Sequence, residues 1–285
     1  MAGEHNFGGE WTAKKLEIIG KYLDFYSTAL SSQSFRIHYV DPFSGSGRID
    51  TKGELLELDP IKGSATQALQ VARPFFKYHF NEPNTKRYNQ LKQTVDNYPS
   101  KNVSLTKLDA NIMIQEVCKS LGQDRAIFFI DPYGCQLEWE SLSTISNGAG
   151  NDVWLWFPTS AVMRQATVDK ENIQDSWRKR LDKLFGDNGW ERALYAEPAD
   201  EGVGIIEDMF GAPLHTKSMK RERGSKALDS YVMEKLESIF PYVNPKSMPF
   251  TNRRGTVLFQ LYFAMSNNRR KALELAKKGV RSILK

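Results

Sequence analysis

Val40-Asp41-Pro42-Phe43-Ser44-Gly45-Ser46-Gly47 leaves a stretch of β-branched and aromatic residues, meets an acid, and turns on two glycines and two serines. Glycine has no Cβ, so backbone N–H groups in such a turn can come close to another molecule. A second string, Phe128-Phe129-Ile130-Asp131-Pro132-Tyr133-Gly134, runs from apolar residues into an acid, a proline and an aromatic ring. Each reads as a β-strand ending in a turn built for contact. In an open α/β sheet both turns fall on the carboxyl edge, where ligands bind at the switch point.

Outward from these strings the chain alternates strand and helix. An amphipathic helix is expected over residues 11–30, with Leu16, Ile19, Leu23, Tyr26 and Leu30 on one face. Strand 1 covers Phe35 to Val40, a polar loop or lid runs from Arg48 to Lys62, and a helix starts near Ser64 and continues through Ala72. Further strands are expected over residues 76–81, 103–108, 126–130 and 153–157, with helices over 84–97, 110–121 and 138–146 between them. The last two strands are continuous apolar runs, as in strands covered on both faces. After Pro158 only helical periodicity is seen, over residues 172–185, 202–210 and 227–240. Residues 242–250 and 256–264 flank a polar turn and read as a hairpin, and a basic helix over 268–284 closes the chain.

The expected fold class is therefore α/β: a doubly wound parallel sheet with a C-terminal antiparallel hairpin and a helical insertion. Residues 1–158 and 241–285 form the Rossmann-like domain, and residues 159–240 form an insertion facing substrate or partner.

The 285 residues include 40% apolar side chains, enough for a full core, and no run long enough to span a bilayer. The N-terminus has no signal-peptide character, and Cys118 and Cys135 are too few for a disulfide framework or a metal cluster. A cytoplasmic protein with reduced thiols and no metal is expected. The net charge of +5 is uneven: residues 151–285 carry 23 Lys and Arg against 17 Asp and Glu. That excess suggests a polyanionic partner such as nucleic acid.

The chemistry concentrates at four places. Gly45 and Gly47 can bring backbone N–H groups to a charged ligand, although an ordinary turn is the bland alternative. The full dinucleotide G-x-G-x-x-G is absent, and so is a phosphate-binding G-x-x-x-x-G-K-[ST]. Glu82 ends the second strand and can accept from two ribose hydroxyls, or it is an acid placed by a helix dipole. Asp109, with Ala110 behind it, can accept from an adenine amine or cap a helix, and one residue can do both. Asp131 and the Pro132 carbonyl can accept from a substrate amino group, and Tyr133 can stack on a planar base. Asp-Pro-Tyr-Gly is also a reasonable turn. Trp154, Trp156, Phe259, Tyr262 and Phe263 read as core, and neither His38 nor His79 is assigned a catalytic role.

These positions, in this order, resemble the class I S-adenosylmethionine-dependent methyltransferases, particularly those that modify amino groups. The resemblance makes Asp41, Pro42, Phe43, Gly45, Ser46 and Gly47 the glycine-rich cofactor motif, Glu82 the ribose acid, and Asp109 with Ala110 the adenine contact. It makes Asp131, Pro132 and Tyr133 the catalytic motif. The whole chain is similar to the three-Cys-motif partner family of bacteria and archaea. The marks are Trp11-Thr12 with Lys15 to Ile18, the Asp41 to Gly47 loop, Gly63-Ser64, Asp131 to Gly134 with Trp139, Phe157-Pro158, Phe185-Gly186 with Trp190, and Phe263 to Asn267. That family is named for a neighbouring three-cysteine gene product, which suggests an iron–sulfur partner.

One departure bears on activity. Amino-methyltransferases place two prolines between the acid and the aromatic ring, and here a single proline precedes Tyr133. Either the motif is one residue shorter with its ring kept, or Tyr133 replaces the second proline and the ring is missing. The expected function is methyl transfer to an amino group of a nucleic-acid base. The alternatives are a non-catalytic protein acting through a three-cysteine, iron–sulfur-type partner, and a nucleic-acid-binding module. The last rests on Lys217, Lys220, Arg221, Arg223, Lys226, Arg253, Arg254, Arg269, Arg270 and Lys271.

Overall fold

The computed structural model describes residues 9–49, 61–195, 221 and 224–284. Helix α1 (Gly9–Ala29) precedes strand β1 (Ile37–Asp41). The ends of the expected loop pair as a short ribbon, β2 (Arg48–Ile49) with β3 (Ile61–Lys62), and its middle, residues 50–60, lies outside the described residues. Then come α2 (Ser64–Leu69), β4 (Lys77–Asn81), α3 (Thr85–Asp96), β5 (Val103–Thr106) and α4 (Ala110–Leu121). They are followed by β6 (Arg125–Ile130), α5 (Trp139–Ser146) and β7 (Asp152–Phe157). Helix α2 stops short of Ala72, where the chain must turn toward β4.

The central sheet runs β5-β4-β1-β6-β7-β10-β8, and β5 through β7 are mutually parallel. The strand order reverses between β1 and β6, so the switch point lies between Asp41 and Asp131. Every residue of β6 and of β7 is buried, which is why both read as unbroken apolar runs. Strand β10 (Val257–Met265) pairs antiparallel with β7, Gln260 opposite Phe157, and β9 (Met248–Thr251) folds back on it. Strand β8 (Tyr242–Val243) takes the rest of that edge. This is the expected doubly wound, mostly parallel sheet with its C-terminal hairpin.

Alternation along each strand divides the core. Val40, Phe128, Ile130, Val153 and Leu155 face one layer, and Tyr39, Ile127, Phe129, Trp154 and Trp156 face the other. The second layer is covered by α1, α2 and α10 (Arg270–Ile283). The first is covered by α4, α5 and the helices after Pro158: α6 (Thr159–Gln165), α7 (Asp175–Phe185), α8 (Gly189–Leu194) and α9 (Ser225–Ile239). Val162, Leu181, Trp190, Val232 and Leu236 of these helices belong to the same buried cluster as the strands. Helices α6 and α8 are too short to show a full apolar stripe in the sequence. The helix expected over residues 202–210 lies outside the described residues, as do Lys217, Lys220 and Arg223. Arg221 is described: its guanidinium donates to the carbonyls of Met163 and Ala166, so it holds the end of α6.

Candidate cofactor and catalytic site

Asp41, the last residue of β1, is fully buried and braces the loop that follows it. Its carboxylate accepts from Ser64 Oγ at 2.6 Å, from the Phe43 N–H at 3.2 Å and from the Tyr39 hydroxyl at 3.5 Å. Burial pushes its pKa up to about 7, against the Ser64 hydrogen bond, and the nearby charge of Asp131 adds to the rise. Ser64 thus ties the start of α2 to the end of β1. Thr66 Oγ1 and the Gly63 N–H both donate to the Gly47 carbonyl, at 2.8 and 3.0 Å.

Two glycines in this region have a steric reason. Gly45 lies at φ +62°, and a Cβ there would stand 2.9 Å from the Tyr133 hydroxyl. A Cβ at Gly63 would come within 2.8 Å of the Gly47 carbonyl carbon. The glycine loop and the Asp131 to Gly134 turn therefore touch across the switch point through Tyr133.

Tyr133 is 54% exposed, and it lines a cavity of about 1080 Å³. Phe43, Glu82, Asp109 and Ala110 line the same space. The Tyr133 ring stands at the edge of this cavity. Asp41, Pro42, Gly45, Gly47 and Pro132 are buried rather than among its lining residues, Ser46 is half-buried, and Asp131 is half-buried. Ala161, Arg164 and Gln165 of α6 and Trp177 and Arg180 of α7 line the cavity as well.

Glu82 is 1% exposed and already engaged. It accepts from the Asn84 N–H at 2.7 Å and pairs with Arg87, Nε to Oε2 at 3.0 Å. The Glu82 hydrogen bond raises the Arg87 pKa. The Arg87 guanidinium also lies over the Tyr133 ring, 4.9 Å from its centre, a cation–π arrangement that links the end of β4 to Tyr133. Asp109 caps α4, accepting from the N–H groups of Asn111 and Ile112. Being exposed, it also presents its carboxylate to the cavity.

Four residues important to this geometry receive no site role from the sequence. Asn81, fully buried at the end of β4, donates to the carbonyls of Pro42 and Leu108 and accepts from the Leu108 N–H and Thr106 Oγ1. It stitches three carboxyl-edge segments together, and its only signal is an amide next to Glu82. Asn111 does the same for the β6–α5 turn, donating to the Gln136 carbonyl and accepting from the Glu138 N–H and Ser141 Oγ. Arg87 is the third. Lys15, in the second turn of α1, is the fourth: it forms an ion pair with Asp131 and lies over the rings of Trp156 and Phe129, at 5.2 and 5.9 Å.

Cys135 borders the cavity, with its thiol pushed up to about 11 by burial, which makes it a poor nucleophile. No helix among the described residues is long and apolar enough to cross a membrane.

No protein-family model matches the chain, and no curated protein matches it to a significant degree. The crystal structure of protein LPL1258 from Legionella pneumophila is similar over 94% of this chain and 92% of that one, at 12% identity and a TM-score of 0.51. The N-terminal domain of EvdMO1 with SAH bound is similar over 88% and 81% of the two chains, at 10% identity and a TM-score of 0.41. The CurJ carbon methyltransferase is similar over 84% and 51%, at 12% identity and a TM-score of 0.35. At such identities the likeness concerns the fold alone. The strand order, the antiparallel β10 and the helices on both faces give this chain a Rossmann-like α/β fold.

Proposed function

We propose that the chain is an S-adenosylmethionine-dependent methyltransferase acting on an amino group of a nucleic-acid base. The observation that supports this reading best is the convergence of Glu82, Asp109 and Tyr133 on one cavity at the switch point, with Asp131 at the adjoining strand end. Two acids of the cavity fit the cofactor: Glu82 can share its carboxylate with ribose hydroxyls, and Asp109 can accept from an amine.

When bound, S-adenosylmethionine would supply an electrophilic methyl on a sulfonium sulfur, the C–S bond breaking to leave a neutral thioether. Asp131 and the Pro132 carbonyl accept the two N–H bonds of the target amine, which leaves the nitrogen lone pair for the methyl. The ammonium so formed loses one proton, for which Asp131 is the acceptor. Tyr133 offers its ring to the planar base once Arg87 shifts from it. The helices of residues 159–240 serve as the substrate-facing or partner-facing region, a role supported by Arg164, Trp177 and Arg180 in the cavity wall. Arg253, Arg254, Arg269, Arg270 and Lys271 are exposed and available to phosphates.

Calorimetry with S-adenosylmethionine and its demethylated product is the direct test. Saturable binding is expected, and no binding at millimolar ligand overturns the reading. One observation favours a second reading, a non-catalytic protein working through a three-cysteine, iron–sulfur-type partner: Asp131 is already held by Lys15. Methyl transfer to DNA, RNA or a protein that disappears in a folded Asp131→Ala variant would exclude it.

A further inference from the structure

A second cavity, of about 310 Å³, lies between α1 and α10 at the amino ends of β6 and β7, on the sheet edge opposite the switch point. Its walls are largely apolar and aromatic, with Phe25 and Tyr26 from α1 and Ala272 and Leu275 from α10. Arg125, the first residue of β6, is set among them.

Arg125 is only 9% exposed, and its Nε and Nη1 have no hydrogen-bond partner among the described residues. The guanidinium is nonetheless firmly seated. It lies over the Phe35 ring at 4.9 Å, and it packs against Gly150 so closely that a Cβ there would stand 2.6 Å from Nη1. The acid in the cavity does not satisfy it. Asp152 accepts from the Tyr22 hydroxyl at 2.6 Å and makes no ion pair with Arg125 within 4.0 Å. Arginine stays charged even when desolvated, and a buried cation with unmade hydrogen bonds is costly. An acceptor brought from outside removes that cost. At the cavity's border, Arg269 and Lys271 are exposed and add positive charge.

We infer that this cavity is a second ligand site, taking an organic anion whose oxyanion head meets Arg125 and whose aromatic or aliphatic body fills the space between α1 and α10. The volume is that of a small metabolite rather than a polymer. The inference is independent of the methyltransferase reading, since no residue of the switch-point cavity takes part.

The test is calorimetric titration of the full chain with 2-naphthoate and with its uncharged counterpart 2-naphthylmethanol. The carboxylate is expected to bind about tenfold more tightly, the factor a charge-assisted hydrogen bond supplies. Arg125→Met should erase that preference, Ala272→Trp should weaken both ligands by filling the cavity, and Tyr133→Ala, in the other cavity, should change neither. Absence of naphthoate binding at millimolar concentration, equal affinity for the two ligands, or loss of binding in Tyr133→Ala would each overturn the inference. If Arg125→Met does not fold, Ala272→Trp decides alone, and unchanged naphthoate affinity in that variant also defeats it.

Discussion

Lys15 of α1 and Asp131 at the end of β6, 116 positions apart, meet in an ion pair across the carboxyl edge of the sheet. Their side chains are 12% and 23% exposed, so water screens the pair only in part. Lys15→Met strands a half-buried carboxylate and should cost about 2 kcal/mol of stability. The double variant Lys15→Met/Asp131→Asn should recover most of that loss. Urea unfolding of the four proteins measures the coupling; additive losses would mean that the pair contributes nothing.

Gly45 and Gly63 should respond differently to a methyl group. Gly45→Ala forces a left-handed φ and presses on a tyrosine hydroxyl, for a cost of about 1–2 kcal/mol. Part of that cost should disappear when Tyr133→Phe removes the oxygen. Gly63 has an ordinary φ of −68°, but its Cβ would meet the Gly47 backbone, which cannot rotate away. Gly63→Ala should therefore be at least as damaging, with no side-chain change able to rescue it. Thermal unfolding of the three single and double variants distinguishes the two cases.

The Asn81 side chain makes four hydrogen bonds from a fully buried position. Asn81→Leu should cost about 3 kcal/mol, because it leaves buried carbonyl and N–H partners unmatched. The loss should be local as well as global. Hydrogen exchange at the Leu108 amide should accelerate far more than at Phe128 in β6, whereas uniform acceleration would contradict the stitching role.

Asp152 gives a pH signature. Burial pushes its carboxyl up to about 7, opposed by the Tyr22 hydrogen bond and by Arg125. The folded state then holds a proton that the unfolded chain has released, so this residue makes stability fall as pH rises from about 4 toward 7. In Asp152→Asn the decline in unfolding free energy between pH 5 and pH 8 should be smaller than in the native protein. An identical pH slope in both would refute the assignment. His79, held neutral with its pKa lowered to about 3 by burial, acts oppositely, and its share is the same in both proteins.

The sheet could be read from the sequence because β6 and β7 are buried on both faces and the two edge turns follow their own strands. Helix α4 is bounded as expected, Ala110–Leu121, since Asp109 caps it from an adjacent position. Local rules do not reach what depends on lateral placement. Nothing near Lys15 says that α1 lies so as to deliver it to Asp131, and nothing near Arg87 says that its guanidinium will cover Tyr133. The loop acid Asp41 looks like a ligand contact in the sequence, but it is enclosed by Ser64 and Tyr39, partners lying on other elements or behind it on the strand. Helices α6 and α8 escaped because six or seven residues do not complete a recognisable stripe.

Strand β7 has one neighbour, β6, that is made before it and another, β10, that is made a hundred residues after it. During synthesis the outer edge of β7 emerges from the ribosome with its ladder groups unpaired and with Trp154 and Trp156 beside them. It stays open until residues 257–265 follow. A nascent chain that stalls before that point carries a long, apolar, unpaired edge, the form most prone to add a strand from another molecule. Strand β10 thus closes a surface that translation leaves exposed, and a chain cut short before Val257 should be found with chaperones or in aggregates rather than as a smaller soluble fold.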